Sequence, residues 1–164
     1  MVEMLGIVRL IHEFAGMTWY GEVFFITFIL APVLGRLPSD SNGPLMVKIF
    51  PRIFRAATVT ASVTIVAGAL TALLYANFDF SAFLDGTWGL SILAGGLMGL
   101  FMYLLHMTVE AVEIRGLKGL TLEEAKGFPE ELTILEKRAL MLPGVGFVIL
   151  TTVLLLMVYA AHGL

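Results

Sequence analysis

The sequence contains no cysteine among its 164 residues. Disulfides, thiolate metal sites, a redox-active thiol and covalent c-type haem attachment are therefore excluded. Charge is also scarce, because Asp, Glu, Lys and Arg make up only 14% of the chain and leave a formal net charge of −3. Such a mild imbalance gives no reason to expect a nucleic-acid partner.

Apolar residues dominate instead. They make up 59% of the chain, whereas a soluble globular domain usually has about 45–50%. Four largely apolar runs, at residues 10–34, 56–76, 88–112 and 139–161, are long enough to cross a bilayer as helices. The first is too long for the core of a cleaved signal peptide. The sequence therefore predicts an all-α, integral membrane four-helix bundle in the cytoplasmic membrane, with residues 1–164 as a single domain in contact with lipid.

The basic residues predict the orientation of this bundle. They lie in the first connection (Arg36, Lys48, Arg52 and Arg55) and in the third (Arg115, Lys118, Lys126, Lys137 and Arg138), whereas the short second connection has Asp79 and Asp85 and no base. The positive-inside rule then puts the first and third connections in the cytoplasm and both termini on the outer side. In the third connection, Thr121 and Glu124 have the spacing of a capping box, which predicts a short surface helix.

Two ionisable residues of the first run are candidate functional residues, since a charge inside a span costs at least about 2.5–3.5 kcal/mol on insertion scales. Glu22 lies at mid-depth, where it could relay protons or bind a cation; alternatively it donates a hydrogen bond to a neighbouring helix. His12 lies about a turn inside the outer boundary and could bind haem iron. The alternative is an interfacial histidine that is hydrated.

Further candidates lie in the third and fourth runs. Met98, Met102, His106 and Glu110 recur every four residues along one flank of a helix. Thioether and imidazole groups suit Cu(I), although methionine is also flexible packing material. His162, at the outer end of the fourth run, is either another ligand or a frayed terminal residue in water.

Several motifs carry a family resemblance. They are His12, Trp19 and Gly21 in the first run, which closes in Ala31-Pro32; Phe50-Pro51-Arg52-Ile53-Phe54-Arg55 ahead of the second; Tyr103 and His106 in the third; and Leu135-Glu136-Lys137-Arg138 ahead of Pro143 in the fourth. In these motifs the chain resembles the CopD-like superfamily of four-helix membrane proteins. That superfamily includes copper-resistance CopD domains and HemJ-type protoporphyrinogen oxidases.

The resemblance implies a haem b site built on the first-run histidine, as in HemJ-type proteins, or copper uptake, as in CopD-type domains. Gly16 lies one turn from His12 on the same face and would leave room for a macrocycle, against which Trp19 could pack. HemJ-type proteins carry a lysine shortly after a tryptophan at the outer start of the third span. Here no base follows Trp88 over residues 89–92, so the resemblance favours a haem site more than it favours porphyrinogen oxidation.

Depth along the helices predicts which histidines could share an iron. At a rise of about 1.5 Å per residue, His12 lies roughly 30 Å above Pro32 and His106 roughly 12 Å above Ile114. They are too far apart in depth for one iron, whereas His162 lies near the level of His12. We therefore predict an outer haem between His12 and His162, and an inner haem on His106 for which Met141 is a candidate second ligand.

The function predicted from the sequence is haem b binding for electron transfer or membrane oxidoreduction, with Glu22 as the residue that handles protons. A haem-dependent oxidoreductase is one form of this hypothesis. The first alternative is copper handling, with Met17, Met98, Met102 and His106 lining a path. The second is a structural subunit of a membrane complex. The expected partners are a second copy of the chain or a redox subunit.

Overall fold

The computed structural model describes residues 2–117, 120–126 and 130–162, and within them every regular element is a helix. The elements are α1 (Val2–Phe25), a π-helical segment (Ile26–Leu30), α2 (Ala31–Leu34), α3 (Ser39–Tyr75), a 3₁₀ turn (Phe80–Phe83), α4 (Gly86–Leu117), α5 (Leu122–Lys126) and α6 (Glu130–His162). Lys118 and the side chains of Glu110, Arg115 and Arg138 lie outside the described residues.

Four helical stretches are long and apolar enough to cross a membrane: Glu3–Leu34, Asp40–Tyr75, Gly86–Val109 and Met141–His162. This confirms the all-α class and the multi-pass character that the apolar runs predicted. In the bundle α1 packs mainly on α3, α4 packs mainly on α6, and α3 and α4 join the two pairs.

Helix α3 begins well before the second predicted span, at Ser39, so most of the segment predicted as the first connection is helical. With 37 residues, α3 is roughly 55 Å long at the usual rise, nearly twice the approximately 30 Å of a hydrocarbon core. Its first turns are held by buried apolar side chains, of which Met46 is 0% and Phe50 3% exposed. This tertiary packing extends the helix beyond the purely apolar run.

The first span stays helical to Leu34 through a π-helical segment whose cause is Pro32. Proline has no N–H, and its ring clashes with the carbonyl four residues earlier, so regular α-helical bonding fails in this turn. The turn widens instead, and the Ala31 N–H donates to the carbonyl of Ile26, five residues back. Pro32 thus perturbs the first span without ending it.

Two clusters of buried side chains form the core. One lies where α2, the start of α3, α5 and the start of α6 meet, and contains Leu34, Met46, Phe50, Ala125 and Leu132, with Leu30 and Leu117 beside them. We call this the basic end, because Arg36, Lys48, Arg52, Lys126 and Lys137 belong to the segments that meet there. The second cluster lies at mid-bundle and consists of Trp19, Ala57, Ala61, Met102 and Leu150.

The predicted capping box is confirmed. The backbone N–H of Thr121 donates to Glu124 Oε2 at 2.8 Å, and the Glu124 N–H donates to Thr121 Oγ1 at 3.3 Å, at the start of α5. The backbone N–H of Thr121, and then its hydroxyl, hold the pKa of Glu124 below its ordinary value. The cap positions α5 so that Ala125, fully buried, lies against Gly43 of α3.

Candidate functional site

A row of hydroxyl side chains on α3 organises the polar interior of the bundle. Thr58, Thr60, Ser62 and Thr64 occupy alternate positions. The hydroxyls of Thr58, Ser62 and Thr64 each donate to the carbonyl four residues earlier, whereas the Thr60 hydroxyl is closer to a partner on α1 than to the Ala56 carbonyl, which is 3.1 Å away. Because residues four apart share a helix face, Thr58 and Ser62 face one neighbour of α3, while Thr60 and Thr64 face another. Residues 58–64 thereby present polar groups to both α4 and α1.

On the α1 side, this row meets Glu22 and His12. The Thr60 hydroxyl donates to Glu22 Oε2 at 2.8 Å. His12 Nδ1 lies 2.9 Å from the carbonyl oxygen of Thr64, which has no hydrogen, so Nδ1–H is the donor. The His12 ring lies against Gly68, where a Cβ would be 2.7 Å from its Cε1. The absence of a side chain at Gly68 is therefore what admits the imidazole between α1 and α3.

On the α4 side, the row meets His106 and Tyr103. His106 Nε2 is 3.0 Å from Thr58 Oγ1, and the Tyr103 hydroxyl is 3.0 Å from Ser62 Oγ. The His106 ring also packs on Phe54, with 5.8 Å between ring centroids. Four titratable side chains from two helices therefore bond to one stretch of about two turns of α3.

A small cavity lies among α1, α3, α4 and α6, on the basic side of mid-bundle. Its volume is about 100 Å³, and its lining includes Trp19, Glu22, Met102, His106 and Pro143. At roughly 30 Å³ per water molecule, this space corresponds to a few waters. It is bounded by two groups that can exchange a proton, the Glu22 carboxyl and the His106 imidazole.

A larger groove lies between α1 and α3 and is open to the outside. Its volume is about 890 Å³, and it is lined by Lys48, Arg52 and Arg55 towards the basic end and by Glu22 and Thr60 at mid-depth. Glu22 lies on the lining of both the groove and the cavity. The Glu22 carboxyl therefore lies between a wide, open groove and a smaller, more sheltered cavity.

The predicted site residues are distributed unevenly over this arrangement. Trp19, Glu22, Met102 and His106 meet at the cavity. Gly16, expected to leave room for a macrocycle, packs on α3 instead, where a Cβ would lie 3.5 Å from Thr64 Cγ2. His162 is exposed, and its Nδ1 lies 2.9 Å from the carbonyl oxygen of Val158 in its own helix.

The methionines singled out from the sequence differ in burial. Met102 is buried in the core, in keeping with methionine as packing material, whereas Met17 is 65% and Met141 73% exposed. Met17 is therefore exposed on the outside of the bundle rather than buried with Met102 in the core.

Neither the cavity nor the groove combines the size of a porphyrin site with a histidine on its described lining. Pockets for drug-sized ligands have about 300–1,000 Å³, whereas the cavity beside His106 has about 100 Å³. The groove is large enough, but no histidine lies on its described lining. Nor do the described residues contain a group of three or more His, Cys, Asp or Glu that could hold a metal ion.

The hydroxyl row is the part of the site that reasoning from the sequence missed. Its signal is present in the sequence, since residues 58–64 read Thr-Val-Thr-Ala-Ser-Val-Thr, with a hydroxyl at every second position of an apolar run. In lipid such side chains bond to their own helix or to a neighbour. Which helices lie opposite, however, depends on the packing.

Comparison with known proteins gives one family. A profile described as a domain of unknown function (DUF4149) matches residues 14–115, which include half of α1, all of α3 and most of α4, and hence Glu22, the hydroxyl row, Tyr103 and His106. No curated protein and no solved structure matches the chain.

Proposed function

The chain belongs to the DUF4149 family, and from the surroundings of Glu22 we propose that it is a proton-handling membrane protein in which Glu22 carries protons between the α1–α3 groove and His106. The observation that supports this most directly is the position of Glu22 on both the groove and the cavity. Ionisable residues within membrane spans typically mark ion pathways or proton relays.

The chemistry needs two transfers. Water in the groove exchanges a proton with the Glu22 carboxyl, whose Oε2 is held in place by the Thr60 hydroxyl. One or more waters in the cavity then connect the carboxyl to the His106 imidazole, which Thr58 orients. Because imidazole accepts or releases a proton near neutral pH, His106 is suited to be the inner terminus of this relay.

The proposed orientation follows from the bases at the basic end. With that end in the cytoplasm, as the positive-inside rule predicts, both termini lie on the outer side of the cytoplasmic membrane. Glu22 then takes its protons from the cytoplasm. The relay would serve proton-coupled transport or oxidoreduction within the membrane.

Infrared titration of the carboxyl groups tests the relay. In lipid nanodiscs we expect a carboxyl C=O band that titrates with pH, shifts promptly in D₂O because groove water reaches it, and is lost in Glu22→Gln. In His106→Phe the band should persist with a displaced titration midpoint, because the two groups face one cavity.

Two matched variants serve as controls. Glu13 is exposed and paired with Arg9 at 2.7 Å, so Glu13→Gln should leave the band in place. His162 bonds only within α6 among the described contacts, so His162→Phe should leave the midpoint unchanged. A band that survives Glu22→Gln, or that resists deuteration, would remove Glu22 from the proposal.

Haem b binding stays a prediction, and it has its own test. Purified protein, with and without added hemin, is examined for a Soret band. A band that His12→Ala removes and His106→Ala leaves would support the outer haem site that the sequence predicted. A protein that remains colourless after hemin is added would contradict haem binding, and a colourless protein that copurifies with copper would favour the copper alternative.

A further inference from the structure

One face of α3 changes its chemistry along its length. Lys48, Arg52 and Arg55 follow one another at spacings of four and three residues, which place them on one side of the helix. The same spacing continues through Val59, Val63 and Val66, and all six side chains are exposed. A basic stripe therefore passes directly into an aliphatic stripe on a surface that faces outwards.

The α1–α3 groove lies along this face. Lys48, Arg52 and Arg55 line its basic rim, and Val47, Ala56 and Val59 line its apolar wall. Arg52 Nη1 donates to the Lys48 carbonyl at 2.6 Å, which holds this side chain along the helix. The arrangement provides a cationic rim and an apolar wall within one open groove of about 890 Å³.

None of these three bases forms an ion pair with a described acidic side chain of the chain itself. The ion pairs among the described residues are Arg9–Glu13 and Glu123–Lys126, and neither involves the rim. The one carboxylate on the described lining is Glu22, which is bonded to Thr60. The rim therefore carries three cationic groups that can meet an anionic ligand.

We propose that the groove binds one anionic phospholipid from the leaflet at the basic end. Its phosphate contacts Lys48, Arg52 and Arg55, and an acyl chain lies along Val59, Val63 and Val66. The site matches both parts of such a lipid. Basic pockets between membrane helices bind anionic headgroups, and the valine stripe is apolar, as an acyl chain requires. The site and the proton relay share the groove, since Glu22 and Thr60 line it as well, but the lipid is held by the three bases and the valines rather than by Glu22, and neither proposal requires the other.

Native mass spectrometry of the delipidated full-length protein in detergent tests this proposal. With phosphatidylglycerol we expect one tightly retained lipid per chain, and with phosphatidylcholine much weaker retention. The triple variant Lys48→Gln, Arg52→Gln, Arg55→Gln should bind phosphatidylglycerol roughly a hundredfold more weakly, given the usual contribution of each base near an anionic headgroup. These side chains are exposed, so the variant should fold, which circular dichroism checks.

Two further variants distinguish a specific lipid site in the groove from non-specific attraction of anionic lipid to the charged surface. The triple variant Arg36→Gln, Lys126→Gln, Lys137→Gln removes the same charge from exposed positions outside the groove lining and should bind as the parent does. Val59→Trp keeps every charge but fills the groove beside its apolar wall, and should lose lipid retention. Glu13→Gln, at an exposed carboxylate outside the groove lining, should bind the lipid normally.

Three results would overturn the proposal. Equal loss in the two triple variants would mean general surface attraction. Equal retention of phosphatidylglycerol and phosphatidylcholine would mean that the bases do not select the headgroup. Displacement of the lipid by inorganic phosphate, together with unchanged binding in Val59→Trp, would mean a site for free anions rather than for a lipid.

Discussion

Replacing Gly43 with alanine is expected to destabilise the basic end of the bundle severely. A Cβ at this position would overlap the carbonyl oxygen of Ala125, and it would lie 2.9 Å from that carbonyl carbon and 3.2 Å from Leu132 Cδ1. The obstacle is mainly backbone, which cannot rotate away as a side chain can. Helix α5 would have to leave α3, and Ala125, Leu132 and Met46 would lose their shared packing.

The expected size of this effect follows from overpacking, which typically costs about 1–3 kcal/mol and occasionally more. For a chain of this length, 3 kcal/mol corresponds to a fall in Tm of roughly 10 °C. Thermal unfolding in detergent, followed by circular dichroism, measures it. The matched control is Gly21→Ala, since Gly21 is also helical but has nothing within 4 Å of a Cβ, and alanine there should stabilise by about 0.5–1 kcal/mol. Equal melting of the two variants would contradict the docking of α5 on Gly43.

The apolar runs predicted the number and approximate places of the membrane-spanning helices, because lipid requires every backbone group of a span to bond internally. The capping box was predictable for a similar reason, since Thr121 and Glu124 satisfy each other's backbone groups locally. Features that depend only on hydrogen bonds within one segment, such as a span or a cap, can therefore be predicted from the sequence of that segment.

The start of α3 could not be derived in this way. Residues 39–55 contain Pro44 and Pro51 and three bases, so their composition is typical of a connection. What makes them helical is contact with residues distant in sequence, since Met46 and Phe50 are buried together with Leu34, Leu117 and Leu132. Tertiary packing outweighs local preference here.

The site was predictable in part. Glu22 and His106 were singled out because ionisable groups in a span are costly, and the structure brings both to one cavity. Their partners Thr60 and Thr58 were not predicted. Helical rise predicted that His12 and His106 lie at different depths. They bond to residues 64 and 58 of α3, which are about 9 Å apart along the helix at the usual rise, roughly half of the separation predicted. Helical rise did not show that each histidine faces α3, because rotation about a helix axis is fixed only by packing.

Gly68→Ala and His12→Ala are expected to be strongly non-additive. Alone, Gly68→Ala places a methyl group 2.7 Å from His12 Cε1 and 2.8 Å from Nδ1, so the ring must move and its bond to the Thr64 carbonyl breaks. His12→Ala also loses that bond. In the double variant the obstacle is gone, and the second alanine should cost nothing or should stabilise by up to about 1 kcal/mol through helix propensity.

A double-mutant cycle on thermal or denaturant unfolding measures the coupling, which we expect at roughly 1–3 kcal/mol for residues in contact. Gly96→Ala in both backgrounds is the control, since a Cβ there meets nothing within 4 Å, and it should add independently. Additivity of Gly68→Ala and His12→Ala within about 0.5 kcal/mol would mean that the imidazole does not occupy the space at Gly68. The ring would then be turned elsewhere, as an axial ligand between α1 and α6 requires, and the outer haem site would gain support at the expense of the packing described here.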